Sequence, residues 1–162
     1  MRRTLVFASL AVAAAAAAAG TAEVRFVDPQ KFSDAGFGAL EIGRTTGELA
    51  DHLKRLAGRL PAGQTLKVEV LDIDLAGTVE HRAARDIRVL RGSADWPRIE
   101  LRYELVADGR TLKSGSERLA AMNYLWDAGA PGMQGSLSHE ERMLDRWFDA
   151  TFGKVEQASL RR

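Results

Sequence analysis

Cysteine is absent from this chain, and that absence removes several kinds of chemistry together. Thiol catalysis, iron–sulfur clusters and cysteine zinc sites are excluded, and no disulfide can staple the fold in an oxidising compartment. A lipid anchor on a lipobox cysteine is excluded for the same reason. A dominant charge is missing too. The chain carries 23 basic and 22 acidic residues, and taking Arg2 and Arg3 from the 23 leaves 21 against 22. A nearly neutral domain lacks the broad positive field that nucleic-acid binding needs, so no nucleic-acid partner is expected. Nor is there a hydrophobic run of membrane-crossing length. Leu5 to Ala19 is uncharged, but it falls short of the roughly 20 apolar residues a span needs, so no membrane span is expected.

That alanine-rich stretch has another use. Arg2 and Arg3 precede it, and the small residues Gly20 and Ala22 follow it. A positive start, an apolar centre and small residues at the end are the marks of a cleaved export signal. The expectation is a signal peptide over residues 1–22, cleavage before Glu23, and a mature periplasmic domain over 23–162. About 140 residues are enough for one domain that buries close to 70% of its unfolded surface without staples.

The mature chain punctuates itself clearly. Val24-Arg25-Phe26-Val27 alternates and stops at Asp28-Pro29, as a strand does. "FSDAGFGALEIG" reads as a glycine-rich loop. Gly36-Phe37-Gly38 is a poor dinucleotide loop, because the third glycine position is Glu41. Thr45 and Glu48 have the spacing of a capping box. Leu49, Leu53, Leu56 and Leu60 follow on one stripe, with His52 at its half-exposed border and Pro61 as the stop. Thr65 to Gly77 and Asp86 to Arg91 read as strands. Arg98 to Val106 alternates without a break, Ile99, Leu101, Tyr103 and Leu105 on one face and charges on the other. Asp108-Gly109 predicts a two-residue hairpin, with Leu105 opposite Leu112 and Glu104 opposite Lys113. After "MNYLW" and a loop, Ser138 and Glu141 form a second capping box. Met143, Leu144, Trp147, Phe148, Thr151 and Val155 then make an amphipathic helix ending near Gly153. The fold class is therefore α+β: a mostly antiparallel sheet of four to five strands with two amphipathic helices packed on one face.

"VLDIDLAGT" places Asp72 and Asp74 in an apolar run. It superficially resembles the nucleophile strand of haloacid-dehalogenase-type phosphatases, but Ala76 stands where that motif has threonine. Phase explains the pair better. Leu66, Val68 and Val70 are even, whereas Leu71, Ile73 and Leu75 are odd. One β-bulge near Val70-Leu71 restores a single apolar face and turns both aspartates to water. That costs about 1 kcal/mol for a lost ladder bond. Burying unpaired carboxylates costs several kcal/mol each. Arginines on neighbouring strands, Arg88 or Arg102, are the expected partners. The alternative is a hydrolase or metal-binding protein built on these carboxylates. It lacks a third ligand at fixed spacing, so no cofactor or metal is expected.

The remaining residue types offer little chemistry. His52, His81 and His139 have no metal-ligand spacing, and Ser114-Gly115-Ser116 lies on a strand rather than at a strand-to-helix turn. Contact is the leading function, with Phe37, Trp96, Trp126 and Met133 on loops as binding candidates beside Asp72 and Asp74. The partner would be an envelope protein or a small ligand.

Six segments, "VRFVDP", "LPAGQTLKVEVLDIDLAG", "DIRVLRG", "DWPRIELRYEL", "MNYL" and "ERMLDRWF", together resemble the exported bacterial proteins of the domain of unknown function 3016 family. The resemblance spans nearly all of the mature chain. It implies export, one domain and a Gram-negative source. It carries no catalytic residue across, because that family has no assigned activity.

Overall fold

A computed structural model describes residues 19–80, 86–126 and 136–159, with side chains in the last helix as far as 153. Its elements run β1 (Thr21–Phe26), α1 (Gly38–Ala57), β2 (Gln64–Asp74), β3 (Thr78–Glu80), β4 (Ile87–Val89), β5 (Arg98–Ala107), β6 (Arg110–Ala120) and α2 (Ser138–Ser159). The main sheet has the order β1-β2-β5-β6. β1 runs parallel to β2, and the other two pairings are antiparallel. Parallel neighbours need a crossover, and α1 supplies it. The fold is α+β, as the sequence pattern predicts.

The phase change in β2 is a bulge. Val70 pairs with Leu101 and Asp72 with Glu100, leaving Leu71 as the extra residue. Leu66, Val68, Val70 and Ile73 then share the buried face with Ile99, Leu101, Tyr103 and Leu105. On the opposite edge of β2 the neighbouring chain makes a matching detour. β1 ends as Val27 N–H donates to Val70 O at 2.9 Å. The chain turns through Asp28, at φ 53°, and returns where Asp34 N–H donates to Ile73 O at 2.8 Å.

Both helices close over the apolar face. Leu49, Leu53 and Leu56 of α1 and Leu144, Phe148 and Phe152 of α2 belong to one core. Tyr103 meets the rings of Trp147 and Phe152 edge-on, centroids 5.5 and 5.6 Å away. Such contacts add about 0.5–1.5 kcal/mol beyond area burial.

Several expectations need correction. α1 begins at Gly38, not Thr45, and Thr45 is buried inside it. Glu41 caps the first turn by accepting the N–H of Phe37 at 2.7 Å. Ile42 anchors the extra turns in the core, which offsets the poor propensity of Gly43 and Gly47. His52 is buried at 6% exposure rather than half-exposed. Arg55 can only donate, so Nδ1 of His52 accepts from it at 3.0 Å and Nε2–H donates to Asp145 at 2.7 Å. His52 is thus a rivet between the helices. β4 does not join the main sheet but pairs with β3 in a separate ribbon. α2 starts at Ser138 itself and continues through Gly153. The hairpin turn is right, with Asp108 and Gly109 at φ 50° and 72°. Beyond it a bulge shifts the register by one, so Leu105 faces Lys113 and Leu112 points to solvent.

Two glycine replacements should move stability in opposite directions. Gly109→Val should cost more than about 1 kcal/mol, because a β-branched residue resists positive φ. A Cβ on Gly47 meets nothing within 4 Å, so Gly47→Ala should gain about 0.5–1 kcal/mol through helix propensity. Chemical denaturation of the two variants checks both.

Candidate functional site

An apolar-walled concavity lies where α1, the β3–β4 ribbon and the start of α2 converge. Its keystone is the peptide unit around Ala76, just past the end of β2. Glu140, in the first turn of α2, is 1% exposed and accepts the Ala76 N–H on Oε1 at 2.7 Å. On the other side of that residue, Arg88 of β4 donates to the Ala76 carbonyl at 3.3 Å. The same guanidinium forks onto Asp34, at 2.8 and 3.1 Å. Asp34 is itself bonded through its backbone to Ile73 and Leu75. Four separate stretches of chain are therefore tied together at one point.

Burial pushes the Glu140 carboxyl above its ordinary range. The Ala76 N–H and the Arg88 charge pull the other way without cancelling it, and Asp34 adds to the rise. Its second oxygen, Oε2, has no hydrogen-bond partner among the described residues. A carboxyl so placed keeps its proton to higher pH than a solvated one does.

Above this node opens a cleft of about 450 Å³. Phe37, Leu75, Val79, Ile87 and Leu90 give it apolar walls, and Glu41, Arg44, Glu48, Arg88 and His139 bring polar groups to it. Apolar walls with a few convergent polar groups are the usual make-up of a small-ligand site. Phe37 is 55% exposed and Leu90 41%, so large apolar groups stand open at the rim. His139 stands edge-on to Tyr124, centroids 4.8 Å apart. The Tyr124 hydroxyl donates to Asp95 at 3.0 Å and accepts from Gly92 N–H at 3.2 Å. Burial is the largest single influence on the Asp95 carboxyl and raises it. Bonds from Arg91 N–H, Tyr124 and Ser93 N–H outweigh it, holding the group below the usual carboxylate range. A short turn at Tyr124–Trp126 is thereby anchored next to the cleft wall.

The sequence candidates divide across the molecule. Phe37 lines the cleft. Trp126, 85% exposed, projects from the Tyr124–Trp126 turn. Trp96 instead packs partly buried against the core, with the Arg98 guanidinium 4.8 Å above its ring. Asp72 and Asp74 face outward from β2, as the bulge requires. The partner of Asp72 is not an arginine. It accepts from the N–H and hydroxyl of Ser33, both at 2.7 Å, and so clamps the chain as it returns to β2. Asp74 accepts from Arg98 at 2.5 Å, while Arg88 serves Asp34. Asp74 also borders a second, more polar hollow of about 750 Å³ that adjoins the first across Gly36 and Phe37. Met133 and His81 lie outside the described residues. Among the described residues, no three His, Asp or Glu side chains gather as metal ligands.

Glu140 and Asp34 were not candidates from sequence, and Arg88 was expected only as a partner of Asp72 or Asp74. A signal for the first was present. Glu140, Leu144, Phe148 and Phe152 recur every four residues, so a carboxylate occupies the top of the apolar stripe.

A family model described as "Protein of unknown function (DUF3016)" matches residues 20–150. The chain belongs to the DUF3016 family. The DUF3016 match takes in every residue of the cleft and begins at Gly20, one residue before β1. Comparison with the curated proteins and with the solved structures gives no match. No helix among the described residues is long and apolar enough to cross a membrane.

Two measurements test the charges of this region. Because the folded-state pKa of Glu140 is raised, its contribution is fully present below about pH 4.5, the unfolded value. It is lost as pH rises through the folded value. Glu140→Gln cannot ionise, so the variant should gain stability relative to wild type as pH rises from 4.5 to neutral in urea titrations. At the exposed pair, Asp74→Asn should cost no more than about 1 kcal/mol.

Proposed function

We propose that this protein is an exported, periplasmic domain of the bacterial envelope that works by binding rather than catalysis. The observation that carries the reading is the cleft, apolar in its walls and open at Phe37 and Leu90. A ligand of amphipathic character fits it, either a small molecule or an apolar side chain of an envelope protein flanked by charge. Arg44 and Arg88 offer positive groups, and Glu41 and Glu48 negative ones. The exposed Trp126 extends the contact surface, since exposed aromatics are common anchors for partners. Against a hydrolase built on Asp72 and Asp74, both carboxylates are already engaged, by Ser33 and Arg98.

Export is read from the N-terminal residues, and the contacts of Gly20 to Ala22 support a processing point just before them. Gly20 is buried, and its N–H donates to Leu60 O at 3.1 Å. A Cβ there would stand 2.6 Å from Ala57 O. Thr21 and Ala22 pair with Thr65 and Leu66. Cleavage before Glu23 would strip these contacts, whereas cleavage after Ala19 keeps them and uses the small residues Ala17 and Ala19.

Mass spectrometry of the periplasmic protein should give a chain starting at Gly20. A chain still carrying residues 1–19 in the membrane fraction would overturn the export reading. For the contact surface, Phe37→Ala and Trp126→Ala should each change stability by less than about 0.5 kcal/mol, as surface substitutions do. Both should reduce photo-crosslinking to envelope components from a probe at Leu90. Undiminished crosslinking, or unfolding of Trp126→Ala, would contradict it.

A further inference from the structure

The outer edge of β6 lies at the far end of the sheet, and none of the residues that line its margin belongs to the cleft. β6 has 11 residues and pairs only with β5 among the described residues. Open edges of this length are usually blunted by proline, short strands, bulges or charged side chains. The inward-side charges of β6, Lys113 and Glu117, are of opposite sign and so repel a foreign apolar strand while matching a second copy. β6 contains no proline, and its one irregularity lies near the turn. From Lys113 to Ala120 the register against β5 is unbroken. A regular template of backbone donors and acceptors is thus left without a strand partner among the described residues.

Its side chains say what could pair with it. Lys113, Gly115, Glu117 and Leu119 lie opposite Leu105, Tyr103, Leu101 and Ile99 and so share the helix side of the sheet. Glu117 is partly buried and forms no hydrogen bond or ion pair among the described residues. Lys113 donates to the Thr151 carbonyl at 2.7 Å, a neutral partner. A cation and an anion therefore stand two residues on either side of Gly115, neither in an ion pair among the described residues, the cation also 5.8 Å from the Phe152 ring centroid. Gly115 itself is fixed by packing, since a Cβ there would meet the Tyr103 ring at 2.8 Å.

We propose that β6 is a self-association edge, where two copies pair antiparallel about a two-fold axis at Gly115 to form one continuous eight-stranded sheet. In that register Lys113 of each copy faces Glu117 of the other, twice per interface. Ser114 faces Ser116, Leu112 faces Arg118, and Arg110 faces Ala120, so no like charges meet. Sliding the centre to Ser114 would set Arg110 against Arg118 twice. Sliding it to Ser116 would leave Lys113 against Leu119 and lose both ion pairs. Opposite charges directly across a strand pair stabilise it and like charges oppose it, so the sequence selects the Gly115 register. A second copy is favoured over a foreign strand because the charge pattern of β6 is complementary to itself.

The test is a charge exchange followed by sedimentation equilibrium of the mature chain. Wild type should dimerise reversibly. Lys113→Glu places two carboxylates face to face, and Glu117→Lys places two ammonium groups face to face. Each variant alone should associate at least about tenfold more weakly than wild type. A one-to-one mixture should recover dimerisation, because each chain then carries the charge the other lacks. The double variant Lys113→Glu/Glu117→Lys should also dimerise. Recovery in the mixture cannot come from a variant that fails to fold. A wild type monomeric at every concentration, single variants that dimerise as well as wild type, or a mixture that stays monomeric would each overturn the proposal. Monomers that instead bind an extended peptide along β6 would show a foreign strand as occupant and overturn self-pairing.

Discussion

The contacts at Ala76 hold the base of the cleft together, because the chain leaves the main sheet there, with Gly77 N–H donating to Asp95 O at 2.8 Å just beyond. β2 has ended, Gly77 turns at φ 86°, and the β3–β4 ribbon has only three residues in each strand. Two strands of that length are not stable alone in water. Arg88 ties the ribbon back to Asp34 and to the Ala76 carbonyl, while Glu140 draws the first turn of α2 onto the Ala76 N–H. The cleft walls are therefore positioned by buried and part-buried polar contacts at their base. Removing one partner would leave another buried and unsatisfied, and such losses exceed the net worth of the bond itself.

Those contacts sit at the edge of a core that follows simpler rules. The bulge at Leu71 is a compromise between two halves of β2 whose apolar residues fall on opposite parity. It has consequences on both sides of the strand. Toward β5 the register shifts once and continues. Toward β1 the neighbouring chain breaks off and rejoins at Asp34, with Asp72 gripping Ser33 at the point of return. Asp34 reaches Arg88 because of that detour, so the placement of the cleft follows from the phase error in β2.

Local pattern made much of this legible. A parity change announces a bulge, and Asp108-Gly109 announces its turn, because both depend on neighbours in sequence. The start of α1 was hidden because Gly38, Gly43 and Gly47 argue against helix, and only the burial of Ile42 against the core overrules them. The burial of His52 depends on Asp145, 93 positions away, and no local feature predicts that meeting. The extra bulge at Leu112 is similar. Hairpin rules set the first two pairs, and then the fit of Gly115 under Tyr103 decides the rest. Glu140 shows how a readable signal can be passed over. It occupies the stripe of Leu144 and Phe148, yet an acid in the first turn of a helix already has a sufficient explanation in the helix dipole.

The segment from Asp34 to Phe37 is secured at both ends. Asp34 is bonded to β2 through its N–H and its carbonyl, Gly36 N–H bonds back to Asp34, and Phe37 N–H is held by Glu41. The backbone carrying the exposed phenyl ring is thus fixed before any partner arrives, and only two side-chain torsions remain to be ordered. Association pays heavily when loops must first be immobilised. An aromatic group presented from a settled backbone avoids most of that entropy loss, so the binding proposed at Phe37 would need little of its gross energy for ordering the chain.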